Sequence, residues 1–203
     1  MSEFWNRRYS EPHYAYGEEP NAWFREQIDF LKPGKILLPG DGEGRNGVYA
    51  ATKGWEVEAF DLSQSGKEKA LLLAEQQGVQ INFQVEDLAH LEFPENYFDA
   101  VALIYTHFQP GLRTVFHRKL ADYLKVGGVL FIEGFAKDQI HRVSETNAGG
   151  GPKNVDMLYS LDELRSDFSN FDVRLAVEKS VHLDEGLFHV GESDVVRFVA
   201  IKI

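Results

Sequence analysis

Apolar residues recur along this chain in two rhythms, one in short clusters and the other at helical spacing. Short runs rich in β-branched and aromatic residues predict strands over 35–39, 55–60, 80–85, 98–105 and 128–134. Helix-length segments lie between them, at 45–53, at 64–77 with its Lys, Glu, Ala, Leu and Gln, and at 111–125. In the last of these, Leu112, Val115, Phe116, Leu120, Tyr123 and Leu124 keep the helical period until Gly127 and Gly128 close it. Strands alternating with helices predict a parallel sheet with helices on both faces, a doubly wound α/β fold.

The end of the chain departs from this rhythm. After a helix around 161–169 come two extended segments, 171–182 and 194–202, joined by the polar stretch 183–193. A connection of about ten residues is too short for a parallel crossover, which takes roughly a dozen or more. The last two strands are expected to pair antiparallel and to close a mostly parallel sheet. No repeat, low-complexity tract or linker divides the 203 residues, so one domain over 1–203 is expected.

Chemistry enters at the end of the first predicted strand. The apolar run Ile36-Leu37-Leu38-Pro39 breaks into glycines at alternate positions, Gly40, Gly42 and Gly44, and a helix-like segment starts at about Arg45. Glycines permit a left-handed backbone and let a ligand approach the main chain. The helix start beyond them offers unpaired N–H groups. The spacing is G-x-G-x-G, with Arg45 where a dinucleotide fingerprint needs its third glycine, and no Gly-Lys-Ser/Thr occurs for a phosphate loop. Asp61 ends the next apolar run, about 20 residues past the first glycine, the separation that puts a carboxylate on ribose hydroxyls. A ribose-bearing ligand without a pyrophosphate fits this combination best.

The segment Gly40-Asp41-Gly42-Glu43-Gly44-Arg45-Asn46 resembles the first motif of the class I S-adenosylmethionine-dependent methyltransferases. Its form is typical of a small bacterial group similar to the tellurite-resistance and thiopurine methyltransferases. Other matching pieces are Tyr16 to Asn21, Glu133-Gly134-Phe135, Gly150-Gly151-Pro152 and Glu185 to Gly191, so the resemblance spans nearly the whole chain. It implies a Rossmann-like, seven-stranded methyltransferase sheet, S-adenosylmethionine as cofactor and a small-molecule acceptor, with sulfur or a chalcogen as the acceptor atom. It also implies that the aromatic segment 1–24 is a lid, with Trp5 and Tyr16 nearest the ligands. Leu38 stands where the superfamily usually places an acidic residue.

In open α/β sheets ligands bind beyond the carboxyl ends of the strands. That rule gathers Gly40, Asp41, Gly42, Gly44 and Asn46 with Asp61, Leu62 and Ser63 as expected cofactor contacts. Asp87 and Leu88 follow for an adenine ring, and Tyr105 at the end of the fourth strand. His107 is the first candidate to contact the acceptor, and to take its proton where one must leave. His189 is the second, brought to the same cleft if 171–182 runs parallel to the earlier strands. The glycine-rich stretch within 136–156 is expected to be a flexible loop on the acceptor side.

Composition narrows the field further. There is no cysteine, which excludes disulfides, thiolate zinc sites and Cys nucleophiles. The seven His residues show no metal-binding spacing, so no metal is expected. A net charge of −11 would repel phosphate backbones, and nucleic acid is not expected as a partner. With a polar, aromatic start and no apolar run long enough to span a bilayer, the expected location is the cytoplasm, with no membrane partner. Two rivals remain beside methyl transfer: a nicotinamide-dependent oxidoreductase, and a non-catalytic protein binding S-adenosylmethionine or S-adenosylhomocysteine. The residues leave the acceptor and the oligomeric state open.

Overall fold

The computed structural model describes residues 2–146 and 150–203. Seven strands form one sheet: β1 (Lys35–Pro39), β2 (Glu56–Asp61), β3 (Asn82–Val85), β4 (Phe98–Ile104), β5 (Leu124–Phe135), β6 (Phe171–Glu185) and β7 (His189–Lys202). Their order is β3-β2-β1-β4-β5-β7-β6. The first five pair in parallel, and β7 runs antiparallel between β5 and β6. The expected architecture is therefore present, with the strand order reversing between β1 and β4.

Alternation along the strands sorts the core into two layers. Leu37, Val101, Leu103, Leu130, Ile132 and Phe198 face one side, against Phe116 and Leu120 of α5 (Pro110–Tyr123) and Leu164 of α7 (Leu161–Asp167). Ile36, Leu38, Ala102, Ile104 and Phe131 face the other. There they meet Trp23 and Phe24 of α2 (Ala22–Ile28), Val48 of α3 (Arg45–Thr52) and Leu73 of α4 (Gln64–Gln76). Leu38 is thus part of a dry interlayer contact, 1% exposed, and an acid there would be buried among hydrocarbon.

Two segments differ from the sequence expectation. The stretch 183–193 is not a loop: β6 and β7 stay paired out to Glu185 and His189, leaving Gly186, Leu187 and Phe188 to turn the chain. Gly186 has φ +64°, and a Cβ there would lie 2.5 Å from Gly17 N, so the turn fits only as glycine against the N-terminal arm. The N–H of Leu187 donates to Ala15 O at 2.9 Å, anchoring the hairpin tip to that arm. Within the expected loop 136–156, residues Gln139–Thr146 form α6. Of the glycine-rich tract, Asn147, Ala148 and Gly149 lie outside the described residues. The arm itself holds α1 (Ser2–Tyr9), and Asn21 caps α2 by accepting the Phe24 N–H at 2.7 Å.

Gly44 separates packing from ligand approach. It precedes α3 at φ +86°, and a Cβ there would stand 2.5 Å from Ala70 Cβ and 2.8 Å from its Cα. Gly78 is also left-handed, φ +68°, with open space around it. Gly44→Ala is expected to destabilise by about 3 kcal/mol, combining backbone strain with a forced separation of α3 and α4. Gly78→Ala should cost about 1 kcal/mol. Thermal melts should show shifts of about 6–12 °C and about 2–4 °C respectively; equal shifts would remove the helix–helix contact from the explanation.

Candidate active site

The reversal of strand order opens a cleft beyond the carboxyl ends of β1 and β4. Its floor is the glycine loop. Gly40 (φ +66°) and Gly42 (φ +58°) are left-handed, and a Cβ on them would stand 2.9 Å from Thr106 Cγ2 and 2.7 Å from the Tyr9 hydroxyl. Bare backbone therefore faces the cleft where a side chain could not fit. Thr106 Oγ1 donates to Pro39 O at 2.7 Å and ties the end of β4 to the end of β1.

At the end of β2, Asp61 accepts the N–H groups of Gly42 (3.1 Å) and Ser63 (3.0 Å). Its carboxylate keeps lone pairs for the cleft it lines. Burial outweighs the backbone bonds and pushes this carboxyl up to about 6. Leu62, Asp87 and Leu88 extend the same wall, with Leu88 buried and Asp87 holding its turn by accepting the Ala89 N–H at 2.9 Å. Trp5 and Tyr16 of the arm also line the cleft. These groups suit an adenosyl ligand: bare main chain for close approach, a carboxylate for a vicinal diol and an apolar slot for a base.

Several residues expected at the cofactor hold the protein instead. Gly44 packs on Ala70, away from the cleft wall. Ser63 caps α4, accepting the Gly66 N–H at 3.0 Å while its hydroxyl donates to Asn6 Oδ1 at 2.8 Å. Asn46 borders the cleft, but its Oδ1 accepts the Asn21 N–H at 2.9 Å. Asp41 braces the loop against α3 through the Gly47 N–H at 3.1 Å. Its Oδ1 meets no partner among the described residues, and burial pushes the carboxyl up to about 8.

The polar residues of the glycine segment reach the arm and the hairpin. Arg45 Nη2 donates to Glu185 Oε2 at 2.7 Å, with the two side chains 9% and 12% exposed, and Arg45 Nη1 donates to Tyr16 O at 3.1 Å. Asn21 Nδ2 donates to the other oxygen of Glu185 at 3.0 Å. Burial alone would raise Glu185, but His189 and the Arg45 guanidinium overrule it and hold the carboxyl at about 2. Glu43 accepts the Ala15 N–H at 2.7 Å and pairs with Lys69 at 2.7 Å. Asn21, Glu43, Arg45 and Glu185, with the buried Tyr9 beside Gly42, were not expected at this site. Their signal was present in Glu43-Gly44-Arg45-Asn46, but it read as cofactor binding rather than as a clasp for distant segments.

The two histidines part company. His107 Nδ1 faces Met157 O at 2.9 Å, and its Nε2 accepts the Phe135 N–H at 3.2 Å. Burial lowers it to about 4, so the ring is neutral with both nitrogens engaged. His107 lines the cleft as expected of an acceptor contact, but with both nitrogens engaged it has no spare lone pair in this arrangement, and it braces β5 against the chain around Met157. His189 begins β7, and its ring lies against Tyr105 (4.3 Å between centroids), Tyr16 (4.4 Å) and Phe135 (5.4 Å). Its Nδ1 stands 3.5 Å from Glu185 Oε2, while Nε2 is hydrogen-bonded to none of the described residues. Burial lowers its basicity as well.

Tyr105 forms the seam between the two halves of the cleft. It is held at φ +55°, a conformation costing an ordinary side chain about 1–3 kcal/mol. Its N–H donates to Glu133 O at 2.7 Å and its hydroxyl to Glu133 Oε1 at 3.3 Å. Glu133 is buried, and burial pushes it up to about 7 despite Arg197 at 3.3 Å. Among the described residues no three His, Asp or Glu side chains are grouped as metal ligands, and no helix is long and apolar enough to cross a membrane.

Residues 36–128 match the family model of a methyltransferase domain, a span that contains the glycine loop, Asp61, Asp87 and Tyr105. No curated protein is matched by the sequence. Among solved structures, the chain is similar to one described under conversion of a disulfide bond into a thioacetal group during echinomycin biosynthesis. The TM-score is 0.76 at 20% identity, over 100% of this chain and 92% of that one. It is also similar to TehB from Haemophilus influenzae, with TM-score 0.72 and 14% identity over 100% of this chain and 67% of that one. Magnesium protoporphyrin IX methyltransferase from Synechocystis PCC 6803, solved with bound SAH, gives 0.67 and 18% over 90% and 80%. The nicotinamide reading falls on the same evidence, since the family match covers the glycine loop itself and the sheet closes with an antiparallel pair. The methyltransferase-domain match over residues 36–128 thus lies on the strands and loops that build the cleft, and the cofactor that match implies is S-adenosylmethionine.

Proposed function

We propose that this methyltransferase acts on a small molecule carrying a soft nucleophile, a thiol or another chalcogen, seated between the N-terminal arm and the β6–β7 hairpin. One observation carries the reading: the His189 ring lines the cleft inside a box of aromatic rings, with Nε2 hydrogen-bonded to none of the described residues and Nδ1 3.5 Å from Glu185 Oε2. When bound, S-adenosylmethionine supplies an activated methyl group. Gly40 and Gly42 would lie under it, Asp61 would accept its ribose hydroxyls, and Leu62, Asp87 and Leu88 would flank its base.

The chain's own contribution is then alignment, exclusion of water and custody of one proton. Trp5, Tyr9 and Tyr16 close over the site, with the arm held down by Glu43, Arg45 and Asn46. His189 Nε2 would take the S–H proton of the acceptor thiol, and burial, by lowering the basicity of the ring, favours the neutral form that can accept it. A neutral imidazole can accept a proton from a thiol, which ordinarily ionises at about 8.5 and so needs a base to become a thiolate at neutral pH. The sulfur chemistry attached to the echinomycin structure supports this choice of acceptor atom.

Calorimetric titration with S-adenosylmethionine and S-adenosylhomocysteine, with NADH as control, followed by a panel of thiols and chalcogen oxyanions, tests the reading. Asp61→Asn should weaken S-adenosylhomocysteine binding at least about tenfold, because the hydroxyls lose a charged acceptor. Hydroxyl donors favour the carboxylate, so wild-type affinity should rise as pH climbs through about 6, whereas Asp61→Asn should be flat there. An equally flat wild-type profile would remove Asp61 from the ribose.

The histidines give a second check. His189→Asn should lower kcat about 100-fold with S-adenosylhomocysteine affinity unchanged. His107→Asn should lower the melting temperature and leave most of kcat. The reverse pattern would return the proton to His107.

A further inference from the structure

Arg8 lies on α1 beside Tyr16, a residue that lines the cleft. Its Nη1 donates to the Tyr16 hydroxyl at 2.8 Å, and Tyr16 in turn lies against His189. The guanidinium sits 4.7 Å from the Phe4 ring, 5.6 Å from Trp5 and 4.1 Å from Phe188 at the hairpin tip. Arg45, which lines the cleft, and Lys69, which pairs with the cleft-lining Glu43, each face a carboxylate at 2.7 Å. Arg8 meets none among the described residues, although acidic side chains outnumber basic ones 32 to 21. Its contacts are aromatic faces and one neutral hydroxyl, which orient a cation without neutralising it. Among the described residues its guanidinium has one hydrogen-bond acceptor, the Tyr16 hydroxyl, although it carries five N–H donors. Arg8 also lies near enough to oppose protonation of His189.

We propose that Arg8 is the specificity determinant of the acceptor site and that the acceptor carries an anionic group, a carboxylate or oxyanion, close to its nucleophilic atom. The inference rests on the methyl-transfer reading above and names the substrate class within it. An anion entering between α1 and the hairpin meets a planar cation framed by rings, where a charge-assisted pair is little screened. A neutral acceptor of equal shape gains the apolar contacts only.

The test pairs two thiols, 2-mercaptobenzoate and thiophenol, in wild type, Arg8→Gln and Arg8→Lys, with S-adenosylhomocysteine affinity measured in each. Wild type should favour 2-mercaptobenzoate by at least about tenfold in kcat/KM. Arg8→Gln should erase that preference, mainly through KM, while thiophenol turnover and S-adenosylhomocysteine affinity stay within about twofold. Arg8→Lys should recover part of the preference, keeping the charge without the planar fork. Equal losses for both thiols would make Arg8 a strut of the arm and overturn the proposal, as would a wild type without preference. Should neither thiol turn over, their binding to the S-adenosylhomocysteine complex replaces kcat/KM, with a tenfold gap supporting the proposal and none overturning it. A wild type that binds no S-adenosylhomocysteine brings down the methyl-transfer reading first.

Discussion

The buried ion pair between Arg45 and Glu185 is the constraint on which the rest of the site depends. It joins residues 140 apart in sequence and, through Asn21 and Tyr16, fastens three segments that share no strand pairing. Neither charge can be left alone at this depth, since removing one partner of a buried pair costs about 3–5 kcal/mol. The glycine loop, the N-terminal arm and the hairpin tip are therefore stable only together. Glu185, held at about 2, stays ionised across the physiological range and keeps the clasp closed.

A division of labour follows inside one short motif. Gly40 and Gly42 turn bare backbone toward the cleft, while Glu43, Arg45 and Asn46, which also border it, bond to the arm and the hairpin. The cofactor half of the cleft is built from β-strand ends and is rigid by virtue of the sheet. The other side is built from pieces that the clasp unites, and there Trp5, Tyr9, Tyr16 and Tyr105 line the cleft together with Arg45 and His189. Tyr105 sits at the boundary in a strained conformation that Glu133 and the neighbouring rings over-determine.

Much of the fold was legible in the residues. Apolar alternation is a local signal, and it marked every strand from β1 to β5 and the helices between them. The glycine spacing and Asp61 were legible too, because a ribose ligand imposes local demands on backbone and charge. The extension of β6 and β7 to a three-residue turn was not, since its solvated strands carry charges that mask alternation, and long-range pairing extends them. Helix α6 was hidden for a similar reason, its neighbours being rich in glycine and polar residues.

Identity alone could not separate His107 from His189, or Gly40 from Gly44. The two histidines are the same side chain, and only the neighbours supplied by folding saturate one and leave the other with a nitrogen bonded to none of the described residues. The two glycines share a left-handed backbone, yet one opens on the cleft and the other on Ala70. The sequence by itself determined the elements, their parallel order and the kind of ligand the glycine loop accepts, because those rest on period, chirality and sterics within a few residues. Tertiary structure alone decided which side chains face the ligand and which face each other, because desolvation and pairing depend on groups that the chain brings together from opposite ends.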